Sequence, residues 1–197
     1  MTGKLTEMVF ILDRSGSMSG LEDDTIGGFN SMIEKQKKEG DAIVSTVLFS
    51  HDIEILHDRA DLKDIKKMTR KEYYVTGSTA LLDAVGGTIE RIKRVQACSD
   101  VKPETTLFVI ITDGEENSSM EYSYRKVKDL IEDQKKEGWD FLFLGANIDV
   151  AKTAGRMGIN RENAVNYCCD SRGISDMYEC VNAKMTCARR SGSFDRD

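Results

Sequence analysis

Proline is nearly absent from this sequence, with one in 197 residues, and there is a single tryptophan and no repetitive tract. Extended Pro-rich and low-complexity architectures are thereby excluded, while 40% hydrophobic and 31% charged residues are what a globular core with a solvated surface requires. Long apolar runs are also missing. The longest, Met8 to Leu12 and Leu107 to Ile111, fall far short of the roughly 20 residues that cross a bilayer, so no membrane association is expected. Nor is there an excess of positive charge: 28 Lys and Arg face 34 Asp and Glu, a net charge of −6, which argues against a nucleic-acid partner. The first residues enter an apolar stretch too short for a secretory segment, and it ends in Asp13 instead of a small-residue cleavage site, so a cytoplasmic location is expected.

Histidine is scarce too, and this limits metal chemistry. Cys98, Cys168, Cys169, Cys180 and Cys187 form no C-x-x-C pair, and His51 and His57 lie far upstream of the C-terminal cysteines. Buried free thiols are the simplest reading of that group.

What is present is an alternation of apolar runs with helical periodicity, the pattern of βα units around a parallel sheet. Met8–Leu12 and Leu107–Ile111 do not alternate with polar residues, so they read as central strands buried on both faces. Val44 to Phe49 and Ile53 to Leu56 flank Ser50-His51-Asp52 and read as a hairpin with an edge strand; Phe141–Leu144 and Ala164–Tyr167 complete six. Helical faces are marked by Phe29, Met32 and Ile33, by Leu82, Val85, Ile89 and Ile92, and by Val127, Leu130 and Ile131. Gly27-Gly28 and Gly86-Gly87 sit inside helical patterns at a cost of about 1 kcal/mol each, which close approach of helix to sheet would explain. The expected fold class is α/β: a doubly wound, mostly parallel six-stranded sheet with one antiparallel edge strand and helices on both faces. A single domain over 1–190 is expected, with a frayed end from Arg189 and a disordered tail over 191–197.

In such a sheet, ligands bind beyond the carboxyl ends of the strands where strand order reverses. The first buried strand runs into Asp13-Arg14-Ser15-Gly16-Ser17 and the second into Thr112-Asp113-Gly114. A carboxylate leaving a dry strand needs a cation, and the local sequence offers only Arg14. A hard divalent ion meets that need. Ser15 and Ser17 alternate with Asp13 and can aim oxygens from one tight loop, and Thr79 in Gly77-Ser78-Thr79 can add another from the start of a helix whose N-terminus favours negative charge. Two carboxylates balance the dication, and neutral hydroxyls leave it able to attract a further anion.

These elements resemble von Willebrand factor type A (VWA) domains. Asp13-Arg14-Ser15-Gly16-Ser17 matches the D-x-S-x-S element of that family, Thr79 its second-loop threonine and Asp113 its third-loop aspartate, within a resemblance covering about residues 5 to 170. The resemblance implies a Rossmann-like sheet with a metal-ion-dependent adhesion site (MIDAS), in which Asp13, Ser15, Ser17, Thr79 and Asp113 serve the metal. It also implies a non-enzymatic module that captures a protein partner through its Asp or Glu, as in compact intracellular bacterial members. Hydroxyl-rich six-coordination favours Mg²⁺ or Mn²⁺ over Ca²⁺. Arg14, Met18, Ser78, Glu115 and Glu116 are then expected at the partner-binding rim. The alternative is a Mg²⁺-dependent phosphoryl-transfer or phosphatase-type enzyme with Asp13 as nucleophile. It is disfavoured by Ser15 standing where haloacid-dehalogenase-type phosphatases place a second Asp, and by the lack of a G-x-x-x-x-G-K-[ST] loop.

Overall fold

Both strongly apolar runs form strands buried along their whole length, β1 (Thr6–Asp13) and β4 (Thr105–Thr112). The computed structural model, which describes residues 5–194, pairs them in parallel from Thr6 with Thr105 to Leu12 with Ile111. On the far side of β1 lies β2 (Ala42–Phe49), parallel to it, and β3 (Ile53–Asp61) turns back antiparallel at the edge. Past β4 the sheet continues through β5 (Trp139–Gly145) and the short β6 (Ala164–Asn166). The resulting order, β3-β2-β1-β4-β5-β6, is the mostly parallel six-stranded sheet expected. From β1 the chain winds outward through β2, and from β4 it winds the other way through β5. Strand order therefore reverses between β1 and β4, which opens a crevice at their carboxyl ends.

Among the described residues five α-helices cover the two faces: α1 (Glu22–Lys37), α2 (Leu81–Cys98), α3 (Tyr124–Lys136), α4 (Val150–Arg156) and α5 (Ser171–Ser191). Alternation along β1 sends Met8, Phe10 and Leu12 into a core with α1 and α5, where Phe29 meets Phe10 edge-on at 5.6 Å and Val181 and Met185 close the layer. Val9 and Ile11 enter the opposite core with Leu81, Val85 and Ile89 of α2 and Val127 and Ile131 of α3. At about 1.5–3 kcal/mol for each fully buried large side chain, these two layers hold β1 and β4 rigid. Among the described residues no helix is long and apolar enough to cross a membrane.

Several expectations change. Two of the helical glycines admit tyrosine rings, not the sheet: a Cβ on Gly28 would sit 2.2 Å from the Tyr178 ring, and one on Gly86 2.1 Å from that of Tyr122, whereas a Cβ on Gly27 or Gly87 would meet nothing within 4 Å. β3 continues past Leu56 to Asp61, with irregular pairing between Val44 and Val47 and Arg59 in the left-handed region at φ 47°. The chain beyond Arg189 is not frayed through 194. There α5 runs to Ser191, Arg189 donates to the Gln36 carbonyl (2.9 Å), and Asp140 accepts from Ser193 Oγ and the Phe194 N–H. Residues 195–197 of the expected tail lie outside the described residues. The cysteines are not buried either: Cys98, Cys168 and Cys187 are exposed and Cys169 and Cys180 half-exposed. On α5 the reason is that Ile174, Met177, Tyr178, Val181 and Met185 already fill the core face.

Candidate metal centre

Asp13 ends β1 and Asp113 follows β4, so the register that pairs Leu12 with Ile111 puts both carboxylates at the crevice mouth. Each is 1% exposed. Asp13 Oδ1 accepts the Ser15 N–H (2.7 Å) and Oδ2 accepts the Thr112 hydroxyl (2.6 Å). Asp113 Oδ1 accepts the Ser17 hydroxyl at 2.5 Å, and the Ser17 and Ser15 hydroxyl oxygens are 3.2 Å apart. A Cβ on Gly114 would stand 3.3 Å from Ser17 Oγ and 3.4 Å from Thr79 Oγ1, which brings Thr79 to the same spot. All five predicted oxygen-bearing side chains therefore gather at one edge.

Three loops are fastened to one another to achieve this. Gly16 N–H donates to the Gly77 carbonyl (3.0 Å), and Thr76 N–H donates to the Arg14 carbonyl (2.9 Å), joining the first loop to the second. Asn117 joins the second to the third by accepting the Thr79 N–H on Oδ1 (2.9 Å) and donating its own N–H to the Thr79 carbonyl (3.1 Å). From below, the Tyr73 hydroxyl donates to the Asp13 carbonyl (2.5 Å) and the Tyr167 hydroxyl to the Thr112 carbonyl (3.1 Å).

Electrostatics leaves this cluster short of a cation. Burial raises the Asp13 carboxyl above its ordinary value despite the hydrogen bonds from Ser15 and Thr112, and the Asp113 charge adds to the rise. Burial likewise raises Asp113 against the opposing bond from Ser17. Among the described residues neither carboxylate has a salt bridge. Arg14, the expected neighbour, is 3% exposed and turned away: its Nη1 meets Glu54 Oε2 at 2.8 Å, and its guanidinium lies 4.7 Å from the Tyr74 ring centroid. No group of three His, Cys, Asp or Glu side chains able to hold a metal occurs among the described residues, so hydroxyls must complete any shell here. Two carboxylates and three hydroxyls, all hard oxygens with uncompensated negative charge, fit a divalent cation of the Mg²⁺ class.

The rim differs from expectation. Arg14 is buried in its ion pair, and Met18, 1% exposed, packs into the α1/α5 core; neither reaches the rim. Glu116 is a clamp: it accepts the Leu82, Ser118 and Ser119 N–H groups and the Ser119 hydroxyl. With Asn117 and Ser119 on the Thr79 and Asp83 N–H groups, Glu116 also uses up donors at the start of α2 that were expected to attract an anion. Ser78 and Gly114 are half-exposed and Glu115 and Ser17 exposed, and these form the accessible lip. Thr112, Asn117, Tyr73, Tyr167 and Cys169 were not visible as site residues. Only Thr112 and Asn117 carry a local signal, flanking Asp113-Gly114, whereas the others arrive through tertiary contacts.

No protein-family model and no curated protein matches the sequence. Solved structures of similar shape do exist. The PilB minor pilin of Streptococcus sanguinis superposes with a TM-score of 0.68 at 14% identity, over 94% of this chain and 62% of that one. Proximal thread matrix protein 1 from the mussel byssus, in a form with a zinc-occupied MIDAS motif, gives 0.65 at 17% identity, over 93% and 46%. The vWF domain of the type V pili tip protein Mfa5 from Porphyromonas gingivalis gives 0.62 at 9%, over 93% and 97%. This chain thus spans about three fifths of the pilin and under half of the byssus protein. At such identities the likeness is one of fold, and the fold is VWA-like.

Proposed function

We propose that this chain is a divalent-metal-dependent protein-interaction module in which Asp13, Ser15, Ser17, Thr79 and Asp113 hold Mg²⁺ or Mn²⁺ and a partner's Asp or Glu completes the shell. One observation carries the reading: two buried carboxylates at the ends of adjacent strands face three hydroxyls and have no cation of their own among the described residues. The bound ion supplies positive charge to which an acidic side chain can add. Ser17 and Thr79 contribute neutral oxygens, so the ion keeps a net attraction for an anion that a third carboxylate would remove. Ser15 N–H and Thr112 fix Asp13, which keeps its carboxylate aimed without spending the metal's attraction on reordering. The zinc-occupied MIDAS motif in the byssus protein, on a similar fold, supports this reading.

The test is capture from the native cell extract on immobilised wild type and Asp13→Ala, each in Mg²⁺ and in EDTA. The expected result is a protein retained by the wild type in Mg²⁺ alone. Equal retention in all four conditions would reject the proposal. So would turnover of a phosphate ester that disappears in Asp13→Asn, which would favour the phosphoryl-transfer alternative.

A further inference from the structure

Asp113 is held at both carboxylate oxygens. Ser17 occupies Oδ1, and on the other side the Cys169 thiol lies with Sγ 3.5 Å from Oδ2. Cys169 is 56 positions away in sequence, in the short turn between β6 and α5. That turn is anchored at each end. Tyr167 N–H donates to the Gly145 carbonyl (3.0 Å) and its hydroxyl to Thr112, while Asp170 caps α5 by accepting the Gly173 N–H (2.7 Å). Gly173 must be glycine for the turn to close, because a Cβ there would fall 2.0 Å from the Cys168 carbonyl oxygen. Asn147, in the left-handed region at φ 57°, directs its Nδ2 to the Asp113 carbonyl (3.4 Å). Cys169 therefore presents its sulfur from a fixed turn. A thiol is a weak hydrogen-bond donor, and the carboxylate oxygen it faces is an acceptor.

We propose that Cys169 is a positioning residue for the metal centre: its S–H engages Asp113 Oδ2 and so keeps Oδ1 turned toward Ser17 and the cation. This inference rests on the metal-dependent reading above. Ligand carboxylates held by such outer hydrogen bonds typically lose 10–100-fold in metal affinity when the outer partner is removed. A half-exposed, weak donor belongs at the low end of that range.

The experiment measures Mn²⁺ dissociation constants by the EPR signal of free Mn²⁺ for the full chain, as wild type, Cys169→Ala, Cys169→Ser, Cys168→Ala and Asp113→Ala. Cys169→Ala is expected to bind Mn²⁺ about tenfold more weakly, and Cys169→Ser, which restores a donor, within about threefold of wild type. Cys168→Ala should match wild type, and melting temperatures in EDTA should agree among wild type and both Cys169 variants. Wild-type affinity in Cys169→Ala, with binding lost in Asp113→Ala, would overturn this inference and leave the metal centre standing. Equal weakening in Cys169→Ala and Cys169→Ser would also overturn it, since the donor would then be irrelevant. Absence of Mn²⁺ binding by the wild type would overturn the metal reading and this inference with it.

Discussion

The two ends of β1 each bury a carboxylate, Glu7 at 0% and Asp13 at 1% exposure, and they solve the same problem differently. Glu7 is met inside the protein. Arg59 on β3 brings Nε to 3.0 Å from its Oε1, and Gln96 on α2 donates to its Oε2 at 2.9 Å. Asp13 has hydrogen bonds but, among the described residues, no cation, and a second carboxylate stands beside it. A buried charge without a counter-charge is maintained against folding stability, and under the metal-dependent reading proposed above the Asp13 end is where a cation from outside would be held.

Removing Glu7 should do the most damage, because it leaves Arg59 without its buried partner. Glu7→Ala is expected to lower unfolding free energy in urea by about 3 kcal/mol, equally in EDTA and in Mg²⁺. A loss that Mg²⁺ restores would break the comparison, since it would tie the Glu7 end to the metal.

At the other end the dependence should reverse. Mn²⁺ at about 100 times its dissociation constant should stabilise the wild type by about 2.7 kcal/mol, and Asp13→Asn should show none of this while differing little from wild type in EDTA. Strong destabilisation of Asp13→Asn in EDTA would mean that the carboxylate already has its partner within the chain.

A pH titration sharpens the contrast. Burial raises Glu7, Asp13 and Asp113 in the folded state, so each binds its proton more tightly folded than unfolded. In EDTA, the contribution of these three groups to stability should be fullest below the ordinary carboxylate value and be lost as pH rises through the raised folded ones. Mn²⁺ should oppose the fall only for the pair at the Asp13 end. The difference in denaturation midpoint between wild type and Asp13→Asn, followed from about pH 3.5 to about 7 in EDTA, would reveal this; a wild-type advantage that grows with pH would contradict it.

Smaller still is the supporting hydroxyl. Thr112→Val deletes the donor to Asp13 Oδ2 and should cost about 1 kcal/mol in EDTA, read from urea midpoints. No change would show that this bond does not hold Asp13.

The sheet and the Asp13 end were legible in sequence for a simple reason. β1 and β4 are continuous apolar runs that end abruptly in Asp, so strand, burial and site appear within a few residues. The Glu7 end was not legible. Glu7 lies among strand residues with no local mark, and its partners Arg59 and Gln96 are brought to it only by the β3 register and the packing of α2. Arg14 and Met18 were misplaced at the rim for the same reason. Arg14 reads as a loop cation beside two aspartates, yet Glu54 on the edge strand draws it away. Met18 reads as exposed loop but faces the core. Cys169 belongs with these, because only the anchoring of Tyr167 and the cap at Asp170 carry it to Asp113.

The most direct test is the EPR titration of Mn²⁺ into wild type and Asp13→Asn, both in chelator-cleared buffer. The account predicts one Mn²⁺ per wild-type chain, displaced by Mg²⁺, and affinity reduced by more than about 100-fold in Asp13→Asn, beyond the loss expected from an outer hydrogen-bond partner. Equal binding by the two proteins, or none by the wild type, would contradict it.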